Sequence, residues 1–520
     1  MVQKVAKYLT AAFLSCAASS VALGDAEFHQ VIDATGIVTS IQSFTTYPDG
    51  RVSFQDSTSS YVGIPGNILA FTPANFTPPG QVSGWTTKFL TNFLDSDDSY
   101  VMRFRESLGS LNQNGVVVVN KSTGLPSTVM RDNDLVPGIN VAIFPINQSS
   151  LRVSSSGLYA FSGNLDTTTG QANATNKEVV LTGNLGSLSV LYRQNDPIPS
   201  LPTGSNWGLS LGSTGPVQAI GSNGDVAILT RLQNAIGQST QNVMALVNPN
   251  GSIRVLAISG TSAPGGGTYG NLNAASTNTS KVIFSHDHRT VFEDGGNAIF
   301  VDDYSQTVRW IGVGDTIPGH PTSSIPLVSG QDSDTFNPLV ASDIAPGGRV
   351  LAAITLNTSG TSALLFGATG DIHTIAFTGD SLPGLPDGVS LLSISHRYFN
   401  QVDDDGDIVF SATLQGTGIT TNNDRGWFVY QPNAGLHLLF QENGTLDVDG
   451  QTVNVGPESS LILSNFALRD DGIFSFASGG HGYTLDIHSA FAAPEPTSLA
   501  LLAAGVALLS MRRRTKRQGS

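Results

Sequence analysis

The chain has 520 residues and a formal charge of −15, yet only 12% of its residues are charged and 57 are glycine. Charged residues usually make up about a quarter of a chain, so this composition excludes long surface helices of Glu and Lys and favours many short strands joined by turns. Removing the seven cations Lys4, Lys7, Arg512, Arg513, Arg514, Lys516 and Arg517 at the two ends takes the charge from −15 to about −22. A body that acidic repels phosphate backbones, which argues against nucleic acid as a partner and for a solvated, soluble surface.

Residues 1–24 carry Lys4 and Lys7, an apolar stretch around Tyr8 to Leu14, and small residues ending in Ala22-Leu23-Gly24. This three-part pattern predicts a secretory signal peptide cleaved after Gly24. The single cysteine, Cys16, falls inside it, so the mature chain would have no thiol and would be stabilised by its core rather than by disulfides. A lipoprotein would place Cys16 at the cleavage site, but the preceding Phe13-Leu14-Ser15 fits that pattern poorly.

Residues 25–492 read as a repeat domain with two landmarks. The first is a polar turn feeding an apolar strand. Pro48 to Phe54, Asp97 to Phe104, Ser154 to Phe161, Ser222 to Ile228, His288 to Phe292, Pro346 to Ala352, Asp403 to Phe410 and Asp470 to Phe476 are its copies. The second is a closing turn, seen at Thr77 to Gly80, Asn133 to Gly138, Asn195 to Ser200, Gly260 to Gly265, Gly314 to Gly319 and Gly379 to Gly384, and decayed at Glu442 to Leu446. Copies recur about 54 to 67 residues apart, a length that suits a four-stranded unit with generous loops.

Between the landmarks lies a hairpin, as in Val243 to Val247, Pro249-Asn250-Gly251 and Ile253 to Ile258. Asn-Gly between apolar runs signals a tight turn because both residues tolerate positive φ. The run Arg349 to Leu356 is expected to alternate between a buried and an exposed face. One such unit cannot bury both faces, so stability requires stacking of units.

Eight first landmarks face seven closing turns. The last unit, Asn454 to Ser489, stops after its third strand, while Phe28 to Gly36 resembles the fourth-strand segment His373 to Gly379. If the N-terminal strand completes the last unit, the ring leaves no open sheet edge. The fold expected is therefore all-β, an eight-bladed β-propeller, with seven blades or an open stack as alternatives.

The turn-plus-strand landmark followed by Gly-Asp-x-x-Pro-Gly resembles the tandem NxxGxxxF repeats of bacterial surface proteins. The resemblance covers roughly residues 26 to 490, and the copy at His288 lacks the glycine. It implies an architecture and no molecular role.

Residues 493–520 contain Pro494-Glu495-Pro496, an apolar run from Leu499 to Met511, and the basic cluster Arg512, Arg513, Arg514, Lys516 and Arg517. Counting Thr497 and Ser498, about 15 residues make roughly 22 Å of helix, short of a full membrane span, so Arg512 must snorkel or the bilayer must thin. The basic cluster predicts a cytoplasmic end, with Pro494 to Pro496 and the repeat domain across the inner membrane. This order closely resembles the PEP-CTERM sorting signal of Gram-negative bacteria, whose motif is recognised by an exosortase, a membrane cysteine protease. The resemblance implies transient anchoring, removal of the tail near the motif, and delivery to the cell surface or an exopolysaccharide matrix.

The sequence offers few reactive groups. Ser285-His286-Asp287-His288 offers two imidazoles but coincides with the polar turn. Asp95 to Asp98 and the run Asp403, Asp405, Asp407 look like calcium loops, yet the latter lacks the terminal bidentate Glu of an EF-hand and also falls on the repeated turn. They stand as weak calcium candidates, and no cofactor is otherwise expected. No Gly-x-Ser-x-Gly, Walker loop or His-Glu-x-x-His occurs, so the sequence points to no catalytic residue. Trp85, Trp207, Trp310 and Trp427 could stack on sugars but are first read as core residues. The leading expectation is a non-enzymatic exported protein that binds polysaccharide or another surface protein. Its rival is a secreted hydrolase whose acidic residues come from different blades and converge at one mouth of the channel.

Overall fold

A computed structural model describes residues 29–490 apart from connecting segments, the longest of which are 34–42, 273–281, 327–338 and 457–466. The expectations at Gly24, at Pro494, Glu495 and Pro496, and at Arg512, Arg513, Arg514, Lys516 and Arg517 lie outside the described residues. No helix among the described residues is long and apolar enough to cross a membrane.

The chain is all-β. Among the described residues, eight antiparallel sheets contain four or five strands. In chain order, sheet 1 spans Ser43 to Phe71, sheet 2 Thr86 to Arg131, sheet 3 Ile143 to Arg193 and sheet 4 Asn206 to Ile258. Sheet 5 spans Val282 to Gly312, sheet 6 Leu339 to Phe377 and sheet 7 Val389 to Gln441. Sheet 8 joins the two ends of the repeat domain. Its strands Ala467–Leu468, Ile473–Ser478 and His481–Asp486 are followed by the N-terminal strand His29–Asp33, which pairs antiparallel with His481–Asp486.

The sheets follow one another in space as in sequence. Among the described residues, buried apolar side chains form eight clusters, each bridging two neighbouring sheets. Val62 of sheet 1 meets Tyr100 and Phe104 of sheet 2. Trp427 and Phe440 of sheet 7 meet Phe474 and Phe476 of sheet 8, and Ala477 of sheet 8 meets Phe44 and Phe54 of sheet 1. Each buried Val, Leu or Phe contributes roughly 1.5–3 kcal/mol, so it is the sheet-to-sheet junctions that hold the array together.

The expected alternation of Arg349 to Leu356 is corrected here, since Val350 through Thr355 are all buried. The period of two survives in another form. Val350, Ala352 and Ile354 enter the junction with sheet 5, whereas Leu351 and Ala353 enter the junction with sheet 7. A strand sandwiched between two neighbours buries both faces, and alternation then sorts side chains between two cores. The fourth strand Asp371–Phe377, by contrast, keeps exposed positions.

The closing turn has a repeated local cause. Asn133, Asn195, Gly260, Gly314, Gly379 and Asn443 all adopt positive φ, between 52° and 97°, which explains why the position is Gly or Asn. The following Asp accepts a hydrogen bond from the backbone N–H three residues before it: Asp134 from Arg131, Asp196 from Arg193, Asp315 from Gly312 and Asp380 from Phe377. The same turn then grips the next unit, as when Gly379 N–H donates to Leu391 O and Leu391 N–H donates to Asp380 O.

Candidate metal centre at the last junction

The turns between first and second strands lie at one end of the array and touch their neighbours. Ser156 Oγ donates to Ser222 O at 2.7 Å, and Ser222 Oγ lies 3.3 Å from His288 Nδ1. Gly347 N–H donates to Asp287 at 2.9 Å, and Arg349 donates to the carbonyls of Asp404 and Asp405 at 2.7 and 3.1 Å. The densest of these contacts joins sheets 7 and 8.

In sheet 7 the turn Asp403 to Asp407 is closed by Asp403 itself. Its Oδ1 accepts from the N–H groups of Gly406 and Asp407 at 2.9 and 2.8 Å, which leaves Oδ2 free to face outward from the turn. Gly406 has φ +95°, and a Cβ there would lie 2.4 Å from Arg349 Nη1, so the glycine admits the guanidinium that holds the turn.

His488 arrives from the other side, in the four-residue helix Ile487–Ala490 that follows the last strand of sheet 8. Gly472 supports it: its φ is +78°, and a Cβ there would lie 2.5 Å from the imidazole. His488 Nε2 lies 3.0 Å from Asp403 Oδ2 and 3.5 Å from both Asp405 Oδ2 and Asp407 Oδ2. Gln431 completes the wall, its Nε2 donating to Asp407 Oδ2 at 2.6 Å and to Ile487 O at 3.1 Å.

Asp403 and Asp407 are buried, whereas the Asp405 side chain is 76% exposed and that of His488 34%. Burial pushes the Asp403 carboxyl up to about 6, helped by the charge of Asp407, and burial likewise raises Asp407. Burial alone would lower His488, but the hydrogen bond to Asp403 and the charges of Asp403, Asp407 and Asp405 hold it above its usual value. Beside this cluster, burial pushes Asp343 of sheet 6 up to about 7, and Asp470 and Asp404 add to the effect.

Among the described residues, Asp403, Asp407 and His488 form a group whose ligand atoms all lie within 4.8 Å of one another. Of the calcium candidates, the structure therefore brings Asp403 and Asp407 together and leaves Asp405 at the rim. His488 and Gln431 were not expected. His488 lies 85 residues from Asp403, and no local motif connects them.

The other candidates resolve differently. Asp287 is occupied by Ser285, Arg289 and Gly347, so the segment is a turn, while His286 lies outside the described residues. Residues 96–98 are also outside them. Trp207, Trp310 and Trp427 are buried at 1%, 4% and 2% exposure, and this settles them as core residues. Trp85 is half-buried.

The sequence profile of a family of unknown function (DUF7453) matches the chain twice, over residues 26–311 and 220–505. The chain belongs to that family. The second match starts at 220 against 26 for the first, a displacement of about three repeat units, as a tandem architecture requires.

No curated protein matches the chain. Among solved structures, a prolyl endopeptidase is similar at 13% identity and a TM-score of 0.39, over 78% of this chain, which spans half of that one. An oligogalacturonate lyase in complex with manganese is similar at 10% identity and a TM-score of 0.36, over 90% of this chain and 99% of that one. The β-propeller domain of the Trilobed protease from Pyrococcus furiosus is similar at 8% identity and a TM-score of 0.33, over 74% and 88%. At TM-scores of 0.33 to 0.39, none of these likenesses assigns this chain a role.

Proposed function

We propose that the protein is an exported, exosortase-processed component of the cell surface or extracellular matrix, with a non-enzymatic binding role linked to exopolysaccharide. Its body is an eight-bladed β-propeller shut by its own termini. The observation that carries the sorting route is the tail: Pro494-Glu495-Pro496, the apolar run to Met511 and the basic cluster Arg512 to Arg517 stand in the order of a PEP-CTERM signal. The ring is supported by the cyclic succession of the eight sheet junctions and by the seat of His29–Asp33 on sheet 8.

Ligand binding falls to the end of the ring opposite the interlocked turns. Leu108 and Leu111 on a sheet 2 hairpin, Leu135 in a closing turn and Phe144 at the start of sheet 3 are exposed there by 43%, 60%, 63% and 51%. Apolar side chains of this size on the loops of a rigid scaffold suit a sugar face or a partner protein.

Intact-mass analysis of protein from the cell envelope and the culture medium tests the route. Loss of everything past Pro496 is the expected result, and an intact tail in the cytosol overturns it. A hydrolase is the second reading, favoured by the approach of Asp343, Asp404 and Asp470 from three successive sheets. Turnover of oligosaccharides by the wild type that is abolished in D343N would establish it.

A further inference from the structure

We propose that Asp403 Oδ2, Asp407 Oδ2 and His488 Nε2 bind a first-row divalent metal ion, of the manganese or zinc type, that staples sheet 7 to sheet 8. The inference is independent of how the protein is sorted.

Geometry is the first argument. Ligands about 2.0–2.1 Å from one metal ion stand ~3 to 3.4 Å from each other in octahedral or tetrahedral arrangements. His488 Nε2 is 3.0 Å from Asp403 Oδ2 and 3.5 Å from Asp407 Oδ2, close to those edges. Asp405 Oδ2, 3.5 Å from the imidazole and on an exposed side chain, can swing in as a fourth ligand or leave that position to water.

Charge is the second. Two buried carboxylates face one imidazole, so even a protonated His488 leaves a negative charge over. Arg349, on the neighbouring turn, keeps its charge but donates to the neutral carbonyls of Asp404 and Asp405 and pairs with neither carboxylate. A divalent cation would balance both carboxylates with the imidazole neutral.

The surroundings are those of a supported site. The second oxygen of Asp403 is held by two backbone N–H groups, and Asp407 is oriented by Gln431. Gln431 reaches into the cluster at 7% exposure, and its Oε1 has no hydrogen-bond partner. The imidazole revises the calcium expectation, since calcium prefers six to eight oxygens while mixed nitrogen and oxygen ligands suit manganese, iron, cobalt or zinc. A metal held there fixes the C-terminal end of the repeat domain to the turn of the sheet before it.

The test uses the full-length chain in mild detergent, stripped with EDTA and dialysed against Mn2+, Zn2+ or Ca2+. The expected result is one Mn2+ or Zn2+ per chain, a melting temperature raised by ~5 °C or more on reloading, and calcium bound at least about 10-fold more weakly. D403N and H488Q should each weaken binding by about 100-fold or more. Should a variant fail to fold, pulsed EPR of Mn2+ bound to the wild type decides the matter, because a coordinated imidazole imprints nitrogen modulation on the manganese signal. Absence of bound metal, calcium binding as tight as zinc, undiminished binding in H488Q, or a manganese signal without nitrogen coupling would each overturn the proposal.

Discussion

His288 Nδ1 lies 3.3 Å from Ser222 Oγ, tying the turn of sheet 5 to the turn of sheet 4, while the His288 backbone sits at φ +67°. The equivalent position is Gly157, Gly224, Gly406 and Gly472 in other copies, all at positive φ. The histidine thus accepts a strained backbone in exchange for a contact between units. A left-handed conformation costs a residue with a Cβ roughly 1–2 kcal/mol, and a hydrogen bond returns about 0.5–1.5 kcal/mol. H288A keeps the strain and loses the bond, whereas H288G loses both. Urea denaturation should therefore rank H288A about 1 kcal/mol below H288G, with H288G near the wild type.

Gly472 tests how tightly the His488 helix is seated. G472A adds a Cβ 2.5 Å from the imidazole on a backbone at φ +78°. The two penalties together should cost about 2–4 kcal/mol. Denaturation midpoints should show a loss of that size. G251A, which has positive φ but nothing within 4 Å of the new Cβ, should cost only the backbone share.

Trp310 of sheet 5 donates from Nε1 to Gly367 O of sheet 6 at 2.8 Å, inside the junction between them. W310F removes a buried donor across that junction and some volume. The expected loss is about 1–2 kcal/mol, read as a lower melting temperature with an unchanged circular dichroism spectrum.

Asp343 gives the protein a pH dependence whose sign follows from burial. Its carboxyl is held up to about 7 in the fold against 3.8 ordinarily, with its oxygens accepting from the N–H groups of Ile344 and Val402. The folded state therefore binds more protons than the unfolded one between about pH 4 and pH 7. The contribution is fully present below the lower value and is lost as pH rises through the upper one, with a slope of at most about 1.4 kcal/mol per pH unit. Urea midpoints should fall across that range in the wild type and fall less steeply in D343N, where the raised carboxyls of Asp403 and Asp407 still contribute.

What the sequence revealed depended on range. The closing turns were legible because their chemistry is local: a Gly or Asn at positive φ and an Asp three residues after the N–H it accepts, as in Phe377 and Asp380. The pairing of His29–Asp33 with the last unit was legible because a strand lost at one end and gained at the other is a counting matter. The two-sided burial of Val350 to Ile354 was not, since alternation alone does not say whether the second face meets water or another sheet. His488 was hidden for a stronger reason. It lies in the short helix at the end of the last unit, outside both repeated landmarks, and it meets Asp403 only once sheet 8 has packed on sheet 7.

The N-terminal strand carries the strongest prediction about the last sheet. His29–Asp33 covers the outer edge of His481–Asp486, whose N–H and C=O groups would otherwise be free to pair with another chain. Deleting residues 25–36 should leave sheets 1 to 7 intact but uncover that edge. Such a protein should lose stability and associate as concentration rises, visible in light scattering. A synthetic peptide covering Phe28 to Gly36, added in excess, should dock on the vacated edge and restore a monodisperse species, because strand addition supplies the same ladder bonds in trans. A truncated protein that stayed monomeric and as stable as the wild type would mean that the strand decorates the last sheet rather than closing it.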